Sequence, residues 1–358
     1  MKPSRHDSMR ASNLALVLGE IHRRGPLTRA ALSELTGLTK TTCSKLVGDL
    51  IEAGLAVESG AQRDGERGRP GVEVRLSGDR VAALGLEVNV DYLAVCVVDL
   101  TGQVRQRRQV HVDNRGSRPG STLADLRDLA EAAVAESGLS IAGAALAVPG
   151  PVHDGVLQHA PHLGWHDVHV DLGMPLTVDN EANLAALGEL WFGSGARDFL
   201  YVSGEIGIGA GLVVDGALFR GAYGFAGELG HVVVFPDGPG CRCGARGCLE
   251  VYAGQEALQG ASSMEQAGEA LGLALASAVH LVDPGRIILG GVFAPLFPQL
   301  KEPMGRVLSA RLGGMRTPPS LGVSELGSDA AILGAAGHVI RQVVTDPAPY
   351  TSTRSAPA

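Results

Sequence analysis

The chain is poor in cysteine, in aromatic residues and in uninterrupted apolar sequence. Of five cysteines in 358 residues, Cys43 and Cys96 stand alone and three crowd into one short loop. That distribution excludes a disulfide framework and points to metal ligation in a reducing compartment. No apolar run approaches the ~20 residues that span a bilayer, and the opening segment is polar. Neither a secretory signal nor a membrane span is therefore expected, and the protein is expected in the cytoplasm. Aromatics make up 4% against fifty glycines, a balance suited to the tight turns and close backbone approaches of an α/β protein with ligand loops. Positive charge is short as well: the net charge of -8, if evenly spread, would argue against a nucleic-acid partner.

It is not evenly spread. Residues 1–80 hold thirteen Lys/Arg and ten Asp/Glu, so this part is +3 and the remainder is -11. A mildly basic head on an acidic body fits a DNA-docking module whose body is held off the phosphates. Within the head, Leu14, Val17, Leu18 and Ile21 mark a helix over residues 12–24, ended by Gly25-Pro26. A second helix is expected to start at Thr28, bury Ala31, Leu32 and Leu35, and stop at Gly37. A third starts at Thr39 and buries Leu46, Val47, Leu50 and Ile51. Alternating residues at 55–58 and 72–76 then read as two strands joined by a Gly/Arg-rich tip. Helix-turn-helix plus hairpin predicts a mainly α winged helix over residues 1–80.

A second domain is expected over 81–345. Three β-rich runs at 81–90, 92–100 and 104–110 form a meander, a helix covers 121–137, a buried strand covers 141–148, and strands then alternate with helices, an α/β pattern. Residues 346–358 lack apolar periodicity and are expected to be a disordered tail.

The sharpest chemical signal is His231 with Cys241, Cys243 and Cys248. Three thiolates at C-x-C-x4-C spacing and one imidazole can occupy the corners of a tetrahedron, and zinc is the natural ion for a closed, structural site of that kind. Five histidines (His153, His159, His162, His166 and His169) follow no metal spacing and read as pocket-rim or surface residues.

Gly227-Glu228-Leu229-Gly230-His231, followed by the C-x-C-G-x-x-G-C-x-E loop ending at Glu250, resembles the signature of the ROK family of repressors, open reading frames and sugar kinases. Pro149-Gly150-Pro151, Ala160-Pro161-His162-Leu163-Gly164-Trp165 and Asp179-Asn180-Glu181-Ala182-Asn183 fall in the same order, and the resemblance covers essentially the whole chain. It implies a two-lobed, actin-like (ribonuclease-H-like) body in which Asn180, Glu228, His231 and Glu250 grip a sugar. It also places Glu181 where the family's kinases carry the aspartate that acts as general base for the attacking hydroxyl, so Glu181 joins the expected sugar-binding set as a group that can still bind a hydroxyl.

The chain departs from the kinases at both phosphate loops. Glu87-Val88-Asn89-Val90-Asp91 stands where they have Asp-x-Gly-Gly-Thr. Glu205-Ile206-Gly207-Ile208-Gly209-Ala210-Gly211 stands where they have Gly-Thr-Gly-x-Gly-x-Gly. Backbone amides must approach a polyphosphate closely, and side chains or a carboxylate there oppose it. The expectation is therefore a DNA-binding transcriptional regulator of carbohydrate genes, not an enzyme, whose sugar effector changes the head's hold on double-stranded operator DNA. The competing reading is an ATP-dependent hexose kinase carrying a DNA-binding head. By winged-helix analogy Lys40, Thr41, Thr42, Ser44 and Lys45 face the major groove and Arg67 and Arg69 sit at the wing tip. Paired half-sites imply a homodimer or homotetramer.

Overall fold

The computed structural model describes residues 5–60, 72–260 and 264–351. Helix α1 (Arg5–Arg24) buries Leu14, Val17, Leu18 and Ile21 along one stripe. After the two-residue strand β1 (Leu27–Thr28) comes α2 (Arg29–Thr36), started by the Thr28 hydroxyl accepting from Ala31 N and ended by Gly37 at φ +70°. Helix α3 (Lys40–Glu52) starts the same way, Thr39 accepting from Thr42 N, and buries Cys43, Leu46, Val47 and Leu50. Strands β2 (Ala56–Ser59) and β3 (Glu73–Leu76) pair antiparallel, and β1 adds to the far side of β3. Three residues expected in the core need correction. Leu35 is 41% exposed, because the eight-residue α2 meets its neighbours at Leu32 and Leu35 lies beyond that contact, while Ala31 and Ile51 are only half-buried. The wing tip, with Arg67 and Arg69, lies outside the described residues.

The body opens with the meander β4 (Val81–Val88), β5 (Tyr92–Asp99) and β6 (Val104–His111). Helix α4 (Pro119–Ser137) leads to β7 (Ser140–Val148), parallel to β4. A small sheet of β8 (Val152–His153), β9 (Val156–Ala160) and β10 (Trp165–His169) precedes β11 (Leu176–Asn180), which is parallel to β7, and then α5 (Glu181–Phe192). The first sheet has the order β11-β7-β4-β5-β6. The second lobe repeats that plan. Its meander is β12 (Phe199–Gly204), β13 (Ile208–Val214) and β14 (Ala217–Phe219); α6 (Glu250–Ala253), α7 (Gln255–Gly260) and α8 (Glu265–Val282) lead to β15 (Arg286–Gly291). Helix α9 (Phe293–Leu312) and β16 (Ser320–Val323) complete the order β14-β13-β12-β15-β16. A meander followed by two parallel crossovers, used twice, is the actin-like duplication.

The lobes are joined by α5 and α10 (Ala330–Thr345). Helix α5 lies on β12 and β13, whereas α10 returns to cover β4, β5 and β7, and the two helices pack on each other. Their approach is backbone to backbone. A Cβ at Gly334 would stand 1.7 Å from the Leu184 carbonyl oxygen, and one at Gly188 2.2 Å from that of Ala330. Helix α1 of the head packs against α10, so the head's apolar residues and this central layer form one continuous core.

The expected disordered tail is a correction over residues 346–351. There α11 (Ala348–Thr351) packs against α1 and α3, and the Tyr350 hydroxyl donates to the Ala142 carbonyl at 3.1 Å. A four-residue helix has no periodicity to read; tertiary contacts order it. Residues 352–358 lie outside the described residues. Among the described residues, no helix is long and apolar enough to cross a membrane.

Candidate functional site

A cavity of about 580 Å³ lies between the lobes and brings together Asn180, Glu181, Glu228, His231 and Glu250, the five residues assigned to sugar from sequence. Asn180 and Glu181 arrive at the start of α5. The Asn180 Oδ1 caps that helix, accepting from Ala182 N (2.9 Å) and Asn183 N (3.2 Å), and its Nδ2 donates to the Gly150 carbonyl (3.0 Å). One amide hydrogen remains for a ligand. Asp179 holds this corner to the second lobe: its Oδ2 takes 2.6 and 3.1 Å bonds from the Arg220 guanidinium. Glu250 opens α6, and its Oε2 accepts from Ile208 N at 3.3 Å. Gly207 allows that approach, since a Cβ there would lie 2.5 Å from the same oxygen.

His231 faces both ways. Its Nδ1 stands 3.8 Å from Cys241 Sγ, while its Nε2 is 4.0 Å from Glu228 Oε2 beside the cavity. Cys243 Sγ and Cys248 Sγ are 3.7 Å apart, and the four donor atoms of His231, Cys241, Cys243 and Cys248 all lie within 4.8 Å of one another. With zinc–sulfur bonds of ~2.3 Å, sulfurs at tetrahedral corners stand about 3.8 Å apart, so the donor set has the size such an ion requires.

Three groups the sequence left outside the sugar set join the cavity. Arg242, carried between two of the cysteines, reaches His162 Nδ1 (3.1 Å) and Glu256 (2.9 Å). His162 and Arg242 thus form one wall. Of the remaining histidines, His159 lines the cavity and stacks on His166 across the β9–β10 pair at 4.2 Å, as rim residues would.

The third group is Glu205, at the cleft end of the cavity with Asn89, Val90 and Glu181. Behind it Glu87, Glu181, Glu205 and Tyr92 enclose a void of about 10 Å³. The Tyr92 hydroxyl donates to Glu87 Oε1 at 2.9 Å, but Glu87 Oε2 and Glu181 Oε2 are buried without a partner. Burial pushes Glu205 to about 7. Burial and then the Glu205 charge push Glu87 to about 8. Glu181 is raised well above the ordinary carboxylate range by burial, then by Glu205, Glu87 and Glu228. Val88, read from sequence as an obstacle to phosphate, is fully buried in the first lobe's core instead, because strand alternation turns Glu87 and Asn89 towards the cleft.

On the head, Lys40, Thr41, Ser44 and Lys45 are exposed along one face of α3, opposite the buried Cys43, Leu46, Val47 and Leu50. Thr42 is half-buried and its hydroxyl lies 2.9 Å from that of Thr39, so it serves the helix start.

The family model described as ROK family matches residues 83–267, more than half the chain. The chain belongs to the ROK family. A second model, MarR family, matches residues 15–67, which takes in the second half of α1, then α2, α3 and the first wing strand. The ROK protein is 29% identical over 399 residues to the xylose repressor of Caldicellulosiruptor bescii, covering 96% of this chain and 98% of that one. Its fold is that of a ROK family transcriptional regulator, a homologue of the E. coli MLC protein (TM-score 0.79, 24% identity, 96% and 99% covered). A ROK family glucokinase from Streptomyces griseus, solved with glucose and AMPPNP, matches with TM-score 0.63 and 26% identity over 73% of this chain and 99% of its own. The regulator is matched over nearly the whole of this chain and the kinase over about three quarters of it.

Proposed function

We propose that this ROK protein is a sugar-responsive DNA-binding repressor of carbohydrate-utilisation genes, with xylose or a related small sugar as effector. The observation that carries this reading is a winged-helix head whose core is continuous with the helix layer that begins at the sugar pocket. The likeness to a xylose repressor across nearly the whole chain supports it.

The reading assigns zinc to His231, Cys241, Cys243 and Cys248 as a structural ion. Bound at Nδ1, it would fix the His231 ring so that Nε2 serves a sugar hydroxyl alongside Glu228 and Glu250. It assigns no phosphoryl transfer. Glu205 and Asn89 line the cleft end of the cavity, and side chains there hinder the close approach of backbone amides that a polyphosphate would need. Operator DNA is the macromolecular partner, met through Lys40, Thr41, Ser44 and Lys45, and two copies of the head on paired half-sites imply a homodimer or homotetramer.

Two assays on the purified full-length chain decide between regulator and kinase. The upstream region of its own gene should shift on a gel and be released by sugar. ADP release with ATP and a panel of hexoses and pentoses should stay at background, and turnover in the usual enzymatic range of ~1–10³ s⁻¹ would restore the kinase reading.

A further inference from the structure

We propose that the effector pocket takes more than one sugar unit: a disaccharide or longer oligosaccharide seats its terminal unit at Asn180, Glu228, His231 and Glu250 and lays the next on Phe225 and Tyr223 at the cavity's open side. The inference rests on the sugar site assigned above and names the class of ligand that fills it.

A single small sugar leaves much of this cavity empty. Giving each of the ten non-hydrogen atoms of an aldopentose the ~30 Å³ that a water molecule occupies in the liquid, which is generous for bonded atoms, the sugar takes about 300 Å³. The cavity holds about 580 Å³. Roughly half of it stays free for a further part of the ligand.

The side chains on the open side say what that part is. Phe219, Tyr223 and Phe225 are each more than half exposed, and every other Phe, Tyr and Trp of the chain is buried or half-buried. The exposed aromatics thus stand together in one short segment that begins at the end of β14, and Phe225 lines the cavity. Exposed apolar side chains gathered in one place mark a binding surface, and this one continues into the sugar site. The segment is held in position. Ala226 N donates to the Arg220 carbonyl at 3.2 Å, and Gly224, at φ +78°, lies so close to the first lobe that a Cβ there would stand 2.5 Å from the Val152 carbonyl oxygen. Tyr223 meets the His153 ring edge to face at 6.0 Å. His153 is two residues from Pro151, which lines the cavity, and Pro151 follows Gly150, whose carbonyl accepts from the Asn180 amide. Aromatic platform and sugar grip are therefore successive stations along one wall.

A pyranose is amphipathic. Its hydroxyls radiate from the ring edge while its C–H bonds form an apolar face, and an aromatic ring, electron-rich on its own face, packs against those C–H groups. Polar partners for the hydroxyls stand in the same cavity. Gln158 and His159 line it, and Gln158, whose Nε2 donates to the Val156 carbonyl at 3.3 Å, has its Oε1 left to accept from a hydroxyl. A partner protein would use the aromatics without the cavity; a chain of sugar units uses both.

Calorimetric titration of the full-length protein with D-xylose and with xylobiose reads this directly, and D-glucose with cellobiose makes a second pair. Within the pair that binds, the disaccharide should bind about 10- to 100-fold more tightly than the monosaccharide. Tyr223→Ala combined with Phe225→Ala removes largely exposed side chains and should bring that ratio close to one, with a thermal midpoint near that of the wild type. A disaccharide that binds no more tightly than its monosaccharide would overturn the inference and leave the repressor reading intact. So would a double variant that keeps the wild-type ratio; if its sedimentation also shows a changed oligomeric state, the aromatics belong to a contact with a second copy of the chain. Binding of none of the four sugars at millimolar concentration would count against both readings.

Discussion

Asn180 is asked to do two things with one amide. Its oxygen is fully used by the cap of α5, and only one N–H is left for ligand. The two roles separate by substitution. Asn180→Ser should retain the cap, leave the thermal midpoint nearly unchanged and weaken sugar binding; Asn180→Ala should weaken sugar binding and also cost about 1 kcal/mol of stability. Comparing calorimetric titration with thermal melts checks this. The carboxyl group cluster next to it makes stability depend on pH in a defined direction. Glu205 and Glu87 bind protons more tightly folded than unfolded, so their contribution is fully present below the ordinary value of 4.5 and is lost as pH rises through about 7 and about 8. Glu205→Gln should therefore be stabilised relative to wild type at pH 8, by up to about 3 kcal/mol, and much less at pH 5. Denaturant unfolding at the two pH values measures it, and equal effects at both would contradict the assignment.

At the scale of elements, the head was readable because its helices announce their own ends: Thr28 and Thr39 cap with their hydroxyls and Gly37 takes a left-handed φ that few other residues adopt. The exposed face of α3 follows from the same register. Lys40→Ala and Lys45→Ala should each weaken DNA binding and reduce the salt slope by ≈ 1, and an unchanged slope would remove α3 from the interface. What was not readable is the pairing of α5 with α10. Helix α5 is apolar nearly all round, so periodicity gives it no facing side, and only the glycine contacts at Gly188 and Gly334 reveal how closely the two helices approach. Since α5 starts at the cavity and α10 packs on both α5 and α1 of the head, this pair would link effector to DNA in the proposed function. Gly334→Ala drives a Cβ against the Leu184 carbonyl and should cost 1–3 kcal/mol or more in denaturant unfolding, with a smaller sugar effect on DNA affinity than in wild type.

Over the whole molecule, the gathering of Asn180, Glu181, Glu228, His231 and Glu250 in one cavity and of His231 with three cysteines was legible because each sits in a local motif, Asn180-Glu181 at a helix start and the rest in or beside one loop. Arg242 and Glu205 were harder to assign, since their roles depend on lobes that meet only after folding, and the ordered segment 346–351 depends on Tyr350 finding Ala142 some two hundred residues away. Removal of zinc by a chelator should loosen the loop that carries Arg242 and leads into Glu250, and so weaken sugar response before it weakens DNA binding by the head. Equal loss of both would make the ion a general stabiliser. The most direct test of the account as a whole is the affinity of the full-length protein for its own upstream duplex, measured by fluorescence anisotropy without sugar and with saturating D-xylose. Coupled sites predict weaker DNA binding with sugar by about 5- to 150-fold; the same affinity in both conditions, with sugar shown calorimetrically to be bound, would contradict it.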